Sequence, residues 1–421
     1  MNPWFKRHYQ RFYITGIAAL VLLAACSSGG ESGTGLQQNQ TTVGEINGFG
    51  SIYVNGTKFN TDQATVTIDG IDDDETNLAV GMVVTVKGSV NTNGTTGTAN
   101  EVTTKTEVKG VVLGVDFGAK TLNVMHQTVK YSNDTHFKSE VGGITVIDDL
   151  VTEDTVVSVS GFSDGQGDIY ATYIKAIGAG GTASEVKLNG IVTNVNGTET
   201  SGSFLIGDMD ITYQADTQFK GLSREQLFNE TNLYVSIEGA NYMFGNPVTA
   251  TEIERQSVNS EPEGTELEIE GVVTGVIDVS NPDAGQFLLN GRLITYNAYT
   301  DFESGAPADI AVDMKLEVEG MVQADGSIVA DEISLREESD MEFEGTVTNA
   351  GDNSLQLTAS DQSVLTVIVN QYTSYKDEVD ETNRYFSFSD ITQGMDIDAK
   401  YYVDPQLGNV ATSIERISLS D

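Results

Sequence analysis

The chain has 421 residues, with 62 Asp plus Glu against 22 Lys plus Arg, a formal net charge of −40, and a single cysteine. Such acidity excludes the cationic groove through which proteins hold nucleic acid by counterion release, and it disfavours anionic lipid head groups. One thiol excludes a disulfide within the molecule.

In chain order, Lys6, Arg7 and Arg11 form a basic segment, Ile14 to Ala24 an apolar one, and Leu23-Ala24-Ala25-Cys26 follows at once. The apolar stretch is too short to cross a bilayer, which needs about 20 residues, so residues 1–25 read as a lipoprotein signal peptide. Small residues before a cysteine are what lipoprotein processing requires, and Cys26 is the expected lipidation site. Ser27 stands where an aspartate would suggest inner-membrane retention, which favours the outer membrane and leaves open whether the chain faces the periplasm or the exterior. Residues 26–42, rich in Gly, Ser, Thr and Gln, read as a flexible tether.

Five copies of one pattern fill the rest: 43–106, 107–178, 184–256, 265–337 and 340–421. Each opens on a glycine followed by apolar alternation, at Gly44, Gly110, Gly190, Gly271 and Gly345. A second landmark reads Tyr131, Thr135, Phe137, then Tyr213, Thr217, Phe219, then Tyr296, Thr300, Phe302, with Val369, Thr373, Tyr375 looser. A third is an alternating strand ending in glycine at Gly88, Gly161, Gly239 and Gly320; copy five offers Tyr401 instead. The fourth pairs an alanine with an aliphatic residue three positions on, from Ala99 and Val102 to Ala411 and Ile414. Strict alternation predicts half-buried antiparallel strands, and Asn55-Gly56, Asn290-Gly291 and Asp325-Gly326 predict tight hairpins. About five strands per copy suit a small OB-like β-barrel and fall short of an immunoglobulin sandwich, which uses about seven strands over about 100 residues. In copy three, Ser223 with Gln226 predicts a capped helical turn. The expected fold is therefore all-β: five tandem OB-like barrels, each with its own core, with a glycine-rich join from Gly178 to Thr182 that few contacts cross.

The segments Gly48 to Gly56 and Leu78 to Gly88 resemble the tandem repeats of Gram-negative envelope lipoproteins classed as a domain of unknown function (DUF5666). The resemblance spans nearly the whole chain after Cys26, weakest in copies three and five, the latter carrying an insert from Asp377 to Ser389. It implies a β-rich envelope protein and brings no catalytic residues with it.

Chemistry-bearing clusters are few. Asp69, Asp72, Asp73, Asp74 and Glu75 could bind calcium, as could Asp164 to Asp168, although neither follows the alternating spacing of an EF-hand loop. The competing explanation is plain turn chemistry on an acidic, well-solvated surface. His126, His136 and Asp134 could meet at a transition metal, yet lack an evident third ligand spacing and read as exposed strand residues. Phe137, Phe219, Phe302 and Tyr375 recur in register, as core positions would. Tyr170 and Tyr173 fit a core less well, and Tyr385, Phe386, Phe388, Tyr401 and Tyr402 mark the densest candidate partner surface. The functional expectation is a lipid-anchored, non-catalytic scaffold, adhesin or ligand-binding array with an envelope-protein or polysaccharide partner, no nucleic acid, and no cofactor beyond possible calcium. A carbohydrate- or calcium-binding lipoprotein, or a carboxylate-based polysaccharide hydrolase, are the alternatives.

Overall fold

The structure, a computed structural model, describes residues 37–92, 94–257, 261–380 and 383–418. The expected signal peptide, Cys26 and the first part of the expected tether lie outside the described residues. The tether ends sooner than its composition suggests: the strand Gln37–Gly48 starts inside it, zipped against Val83–Asn91 from the Gln37–Asn91 pair onward, with Thr41 and Thr42 buried.

The chain is all-β, and every repeat closes the same way. In repeat four the opening strand Glu266–Asp278 pairs antiparallel with Ala284–Leu289, which turns through Asn290-Gly291 into Arg292–Asn297. That strand runs parallel to the closing strand Ile328–Arg336, which pairs antiparallel with Lys315–Val322, and this last strand returns to the opening one. The same circuit recurs in repeat one, repeat two, repeat three and repeat five. A closed circuit leaves no long unpaired edge, which suits five such units in one chain.

The sequence landmarks are the joints of this circuit. The opening glycine lets the hairpin turn fold back over its strand: a Cβ on Gly271 would lie 2.2 Å from the Asn290 amide, whose Oδ1 accepts the Val272 N–H. The threonine and alanine landmarks meet each other. Thr135, Thr217, Thr300 and Thr373 each donate a hydroxyl to the carbonyl of Ala171, Ala250, Ala330 and Ala411, at 2.7 to 2.9 Å, and accept the N–H three residues back. At the third landmark the strand bulges in all five repeats, and a Cβ on Gly88, Gly161 or Gly320 would strike a closing-strand carbonyl within 2.2 Å. The recurrent aromatics are core residues as expected: Tyr213 and Phe219, and Tyr296 and Phe302, meet edge to face, and Phe137 and Tyr375 pack on their barrel interiors. Ser223 and Gln226 form the reciprocal cap of the helix Arg224–Asn229.

The barrels are not independent beads. Repeats two and three share one hydrophobic cluster, and the long strand Thr182–Gly197 begins directly at the glycine-rich join. The opening strands of repeats one and four, far apart in sequence, pair in parallel through Thr41–Leu267, Thr42–Glu268 and Val43–Ile269. The expectation of one core per repeat holds for repeats one, four and five, each with its own hydrophobic cluster, and is corrected for repeats two and three, which share one.

Candidate functional site

The five carboxylates proposed for calcium do not converge. Asp69 sits in the turn after Thr65–Ile68 with φ of 51° and accepts the N–H and hydroxyl of Thr106, each at 2.8 Å, and the Lys187 ammonium of repeat three at 2.6 Å. Burial works to lift its pKa, and Lys187 overrides it and holds the carboxyl below its ordinary range. Asp73 accepts from the Asp74 N–H and the Asn77 amide, Asp74 caps the short turn Glu75–Asn77 by accepting the Thr76 N–H, and Glu75 takes the Thr61 hydroxyl. Asp72 stands exposed. In the second candidate loop one oxygen of Asp164 accepts the N–H groups of Gln166, Gly167 and Asp168, an Asx turn that needs no ion. Among the described residues, no three or more of His, Cys, Asp and Glu assemble into a metal-holding group.

The aromatic candidates are also corrected. Phe386 is 3 % exposed in the interior of repeat five, Phe388 and Tyr401 pack against that interior, and Tyr402 is half-buried, leaving only Tyr385 out, at 61 %. The reason is the insert, which folds over its own barrel and turns alternate side chains inward. Its Arg384 reaches repeat one, donates to the carbonyls of Glu75 and Leu78 at 2.7 and 3.1 Å, and stacks on Phe49. Tyr170 and Tyr173 find inter-repeat settings. Tyr170 donates to Asp313 of repeat four at 2.6 Å beneath Lys130, and Tyr173 is buried beside the crevice between repeats one and two.

The two histidines do not meet. His126 is exposed in a hairpin turn, with φ of 63°, whereas His136 is 3 % exposed, contrary to its reading as a surface residue. It lies where repeats one, two and five join. Its Nε2 is 3.8 Å from Glu45 of repeat one and its Nδ1 3.7 Å from Glu415 of repeat five, and Gly81 packs against its ring. Asp134, on the same strand, accepts the Ser339 N–H and the Thr412 hydroxyl, both at 2.7 Å.

Around this point a buried charged junction ties the repeats together. Lys315 of repeat four bridges Glu45 and Glu270, 2.9 Å to each, while Glu270 also accepts the Glu45 N–H at 2.8 Å. Glu268 accepts from Gln40 and Thr42, and Glu415 is held by Lys400 at 3.2 Å. Arg336 of repeat four pairs with Glu317 at 2.5 Å and stacks 3.5 Å from the Tyr372 ring centre of repeat five. Repeats two and three interlock through Gln127, whose amide accepts from the Asn189 N–H and donates to its carbonyl. Burial pushes Glu45 up to about 7, with Glu270 adding to the rise and Lys315 opposing it. Burial likewise drops His136 to about 4, whereas Glu415, which burial alone would raise, is drawn down to about 2 by Lys400, His136 and Lys376. On repeat four, burial and mutual repulsion lift Glu319 to about 7 and Glu332 to about 8. The residues missed in the sequence, Glu45, Glu270, Lys315, Lys400, Glu415 and Arg384, carry one signal: they are charged positions on alternating strands or the insert, otherwise indistinguishable from a solvated face.

Fold and junction together define a protein of tandem OB-like barrels locked into one body by inter-repeat ion pairs and hydrogen bonds. The chain belongs to the family described as Domain of unknown function (DUF5666), whose model matches residues 42–103, 109–175, 189–254 and 270–334. Repeat five lies beyond those matches and keeps the same strand circuit. No curated protein matches the chain. Among solved structures, a multidomain protein with nucleic acid binding domains from Streptococcus pneumoniae is similar at 9 % identity, over 56 % of this chain and 74 % of that one, with a TM-score of 0.14, too low to support an argument. Among the described residues, no helix is long and apolar enough to cross a membrane.

Proposed function

We propose that this is a lipid-anchored outer-membrane protein of a Gram-negative envelope, in which five barrels form one non-catalytic scaffold that presents binding surfaces to an envelope protein or polysaccharide. The observation that carries the scaffold reading is the use of the charged side chains. Lys187 to Asp69, Lys315 to Glu45 and Arg384 to the Glu75 carbonyl all join different repeats, so these charged side chains are engaged in holding one barrel against another. The anchor reading rests on the signal peptide and on Cys26, the chain's one cysteine. The acidic surface supports a hydrated protein in the envelope space and opposes a nucleic-acid partner.

Fractionation of cells expressing wild type and Cys26→Ser tests the anchor. Wild type should sediment with outer membranes at a mass raised by acylation, and Cys26→Ser should be soluble and folded. A Cys26→Ser protein that stays in the membrane fraction with an unchanged processed mass defeats the anchor. Crosslinking in intact cells tests the scaffold: capture of one recurrent envelope component supports it, and turnover of a polysaccharide by the purified protein defeats it.

A further inference from the structure

The residue just before the landmark threonine occupies one turn position in four repeats: Asp134, Asp216, Tyr299 and Tyr372. In repeats two and five this position grips a neighbouring repeat. Asp134 accepts from Ser339 and Thr412, and Tyr372 lies under the Arg336 guanidinium. Repeat four builds the same turn as repeat five, bond for bond. The Tyr299 N–H donates to Asn297 Oδ1 at 2.9 Å and the Asn297 N–H to Thr300 Oγ1 at 3.0 Å, matching the 2.9 and 3.0 Å bonds of Tyr372 with Asn370 and of Asn370 with Thr373. Yet Tyr299 is 87 % exposed, the most exposed large apolar side chain of the described residues, and no repeat covers it.

Beside Tyr299 the strand Asp301–Ser304 runs along the closing strand, placing Asp301 opposite Glu332, and Glu332 is in turn opposite Glu319. Burial and mutual repulsion lift Glu319 to about 7 and Glu332 to about 8, so the charge beside the ring rests on the exposed Asp301 and Glu303, neither of which forms an ion pair among the described residues. An exposed ring with this field beside it is complementary to a planar cation, and the chain already shows the matched pair in Arg336 on Tyr372.

We propose that the Tyr299 turn of repeat four is a docking surface for an arginine-bearing segment of a partner protein, which stacks its guanidinium on the Tyr299 ring while the exposed carboxylates of Asp301 and Glu303 supply the opposing charge. Guanidinium, rather than ammonium, is the fitting group because its flat face stacks on a ring and its edge donates to carboxylates at the same time. This deepens the scaffold reading by naming the partner's chemistry, and its test in solution is read independently of anchoring.

The test uses the full processed chain with hexa-arginine and hexa-lysine peptides, titrated by calorimetry at low salt. Equal charge makes general attraction to the acidic surface common to both peptides. Hexa-arginine should bind about three- to thirtyfold more tightly, the ratio expected from one cation–π contact. Tyr299→Ala should bring that ratio close to one, Tyr299→Phe should keep it, and Tyr385→Ala, at the next most exposed aromatic of the described residues, should leave it unchanged. Equal binding of the two peptides by wild type, or an undiminished ratio in Tyr299→Ala, overturns the proposal. Concentration-dependent dimerisation that Tyr299→Ala abolishes would also overturn it, by assigning the turn to a second copy.

Discussion

Replacing Lys315 with Met probes the junction most directly. The ammonium lies 2.9 Å from carboxylate oxygens of Glu45 and Glu270, and the three side chains are only 16, 7 and 10 % exposed. Lys315→Met keeps most of the volume and strands two carboxyl groups from different repeats against each other. Removing one partner from a buried ionic group costs about 3–5 kcal/mol. At a urea slope of about 3 kcal/mol per molar, that is a midpoint lower by on the order of 1 M. The cost depends on pH in a defined direction. Glu45 already titrates near 7 with Lys315 in place, so without the cation it holds its proton to higher pH. At pH 5.5 Glu45 is largely protonated, one charge fewer is stranded, and the loss should be clearly smaller than at pH 8. Near-UV circular dichroism of the tyrosines against urea, at both pH values, reads this out. Adding Glu45→Gln and Glu270→Gln to Lys315→Met should recover most of the stability at pH 8, because no charge is then left unpaired. A loss under about 1 kcal/mol at pH 8, the size of an exposed ion pair, or the same loss at both pH values, refutes the reasoning.

Thr300→Val removes the link between the turn and Ala330 and leaves the Asn297 N–H without its acceptor; a loss of about 1–3 kcal/mol is expected in thermal unfolding. Stability of the wild type should fall between about pH 5.5 and 8.5. Glu45, Glu319, Glu332 and Asp398 titrate at about 7 to 8 in the fold, so the stabilisation from their bound protons is complete below the unfolded value and disappears as pH rises through 7 to 8. His136, lowered to about 4, acts in the opposite sense between its unfolded value near 6.5 and pH 4, and Glu415, at about 2, does so below its unfolded value near 4.5; each contribution is present above the unfolded value and lost as pH falls. One histidine offsets only part of the four carboxyl groups above pH 5.5, so a stability curve rising steadily from pH 5.5 to 8.5 contradicts the assignment. Millimolar calcium should raise the melting temperature no more than sodium at equal ionic strength; a calcium-specific rise that vanishes in Asp72→Asn with Asp73→Asn and Asp74→Asn would restore the ion site. Proteolytic nicking at a site engineered between Gly178 and Thr182 should leave the two fragments associated on a sizing column, since repeat one is paired with repeat four across the cut.

Much of each barrel was legible in the sequence, because its signals are local. Alternation marked the strands, Asn290-Gly291 its hairpin, and Ser223 with Gln226 the helix cap. The threonine and alanine landmarks were visible as spacings before their shared hydrogen bond explained them. What was hidden is the outer face. Glu45, Glu268, Glu270 and Glu415 occupy the polar positions of alternating strands, which binary patterning assigns to water, yet all are buried, with charged or polar groups of their own or other repeats closing over them. Periodicity records that a position is polar, not whether the polar partner is water or another barrel. His136 and Phe386 were misplaced for related reasons, one covered by two neighbouring repeats and the other by an insert whose path no local rule describes.

Repeat one is the hub of the assembly, and that bears on the order in which the molecule is completed. The partners of its polar groups come late in the chain: Lys315 is 270 residues from the Glu45 carboxylate it pairs with, and Arg384 is 309 residues from Glu75, to whose backbone carbonyl it donates. Of the five barrels, the first to be synthesised is thus the last to have its surface satisfied, with Asp69 and Glu45 awaiting lysines not yet delivered. Distant contacts of this kind form slowly, since closing long loops costs entropy before any contact rewards it. Repeat number is constrained by the same arrangement. A string of beads tolerates the loss or gain of a bead, whereas deleting repeat four here would remove both the strand that pairs with Thr41 to Val43 and the lysine that neutralises Glu45.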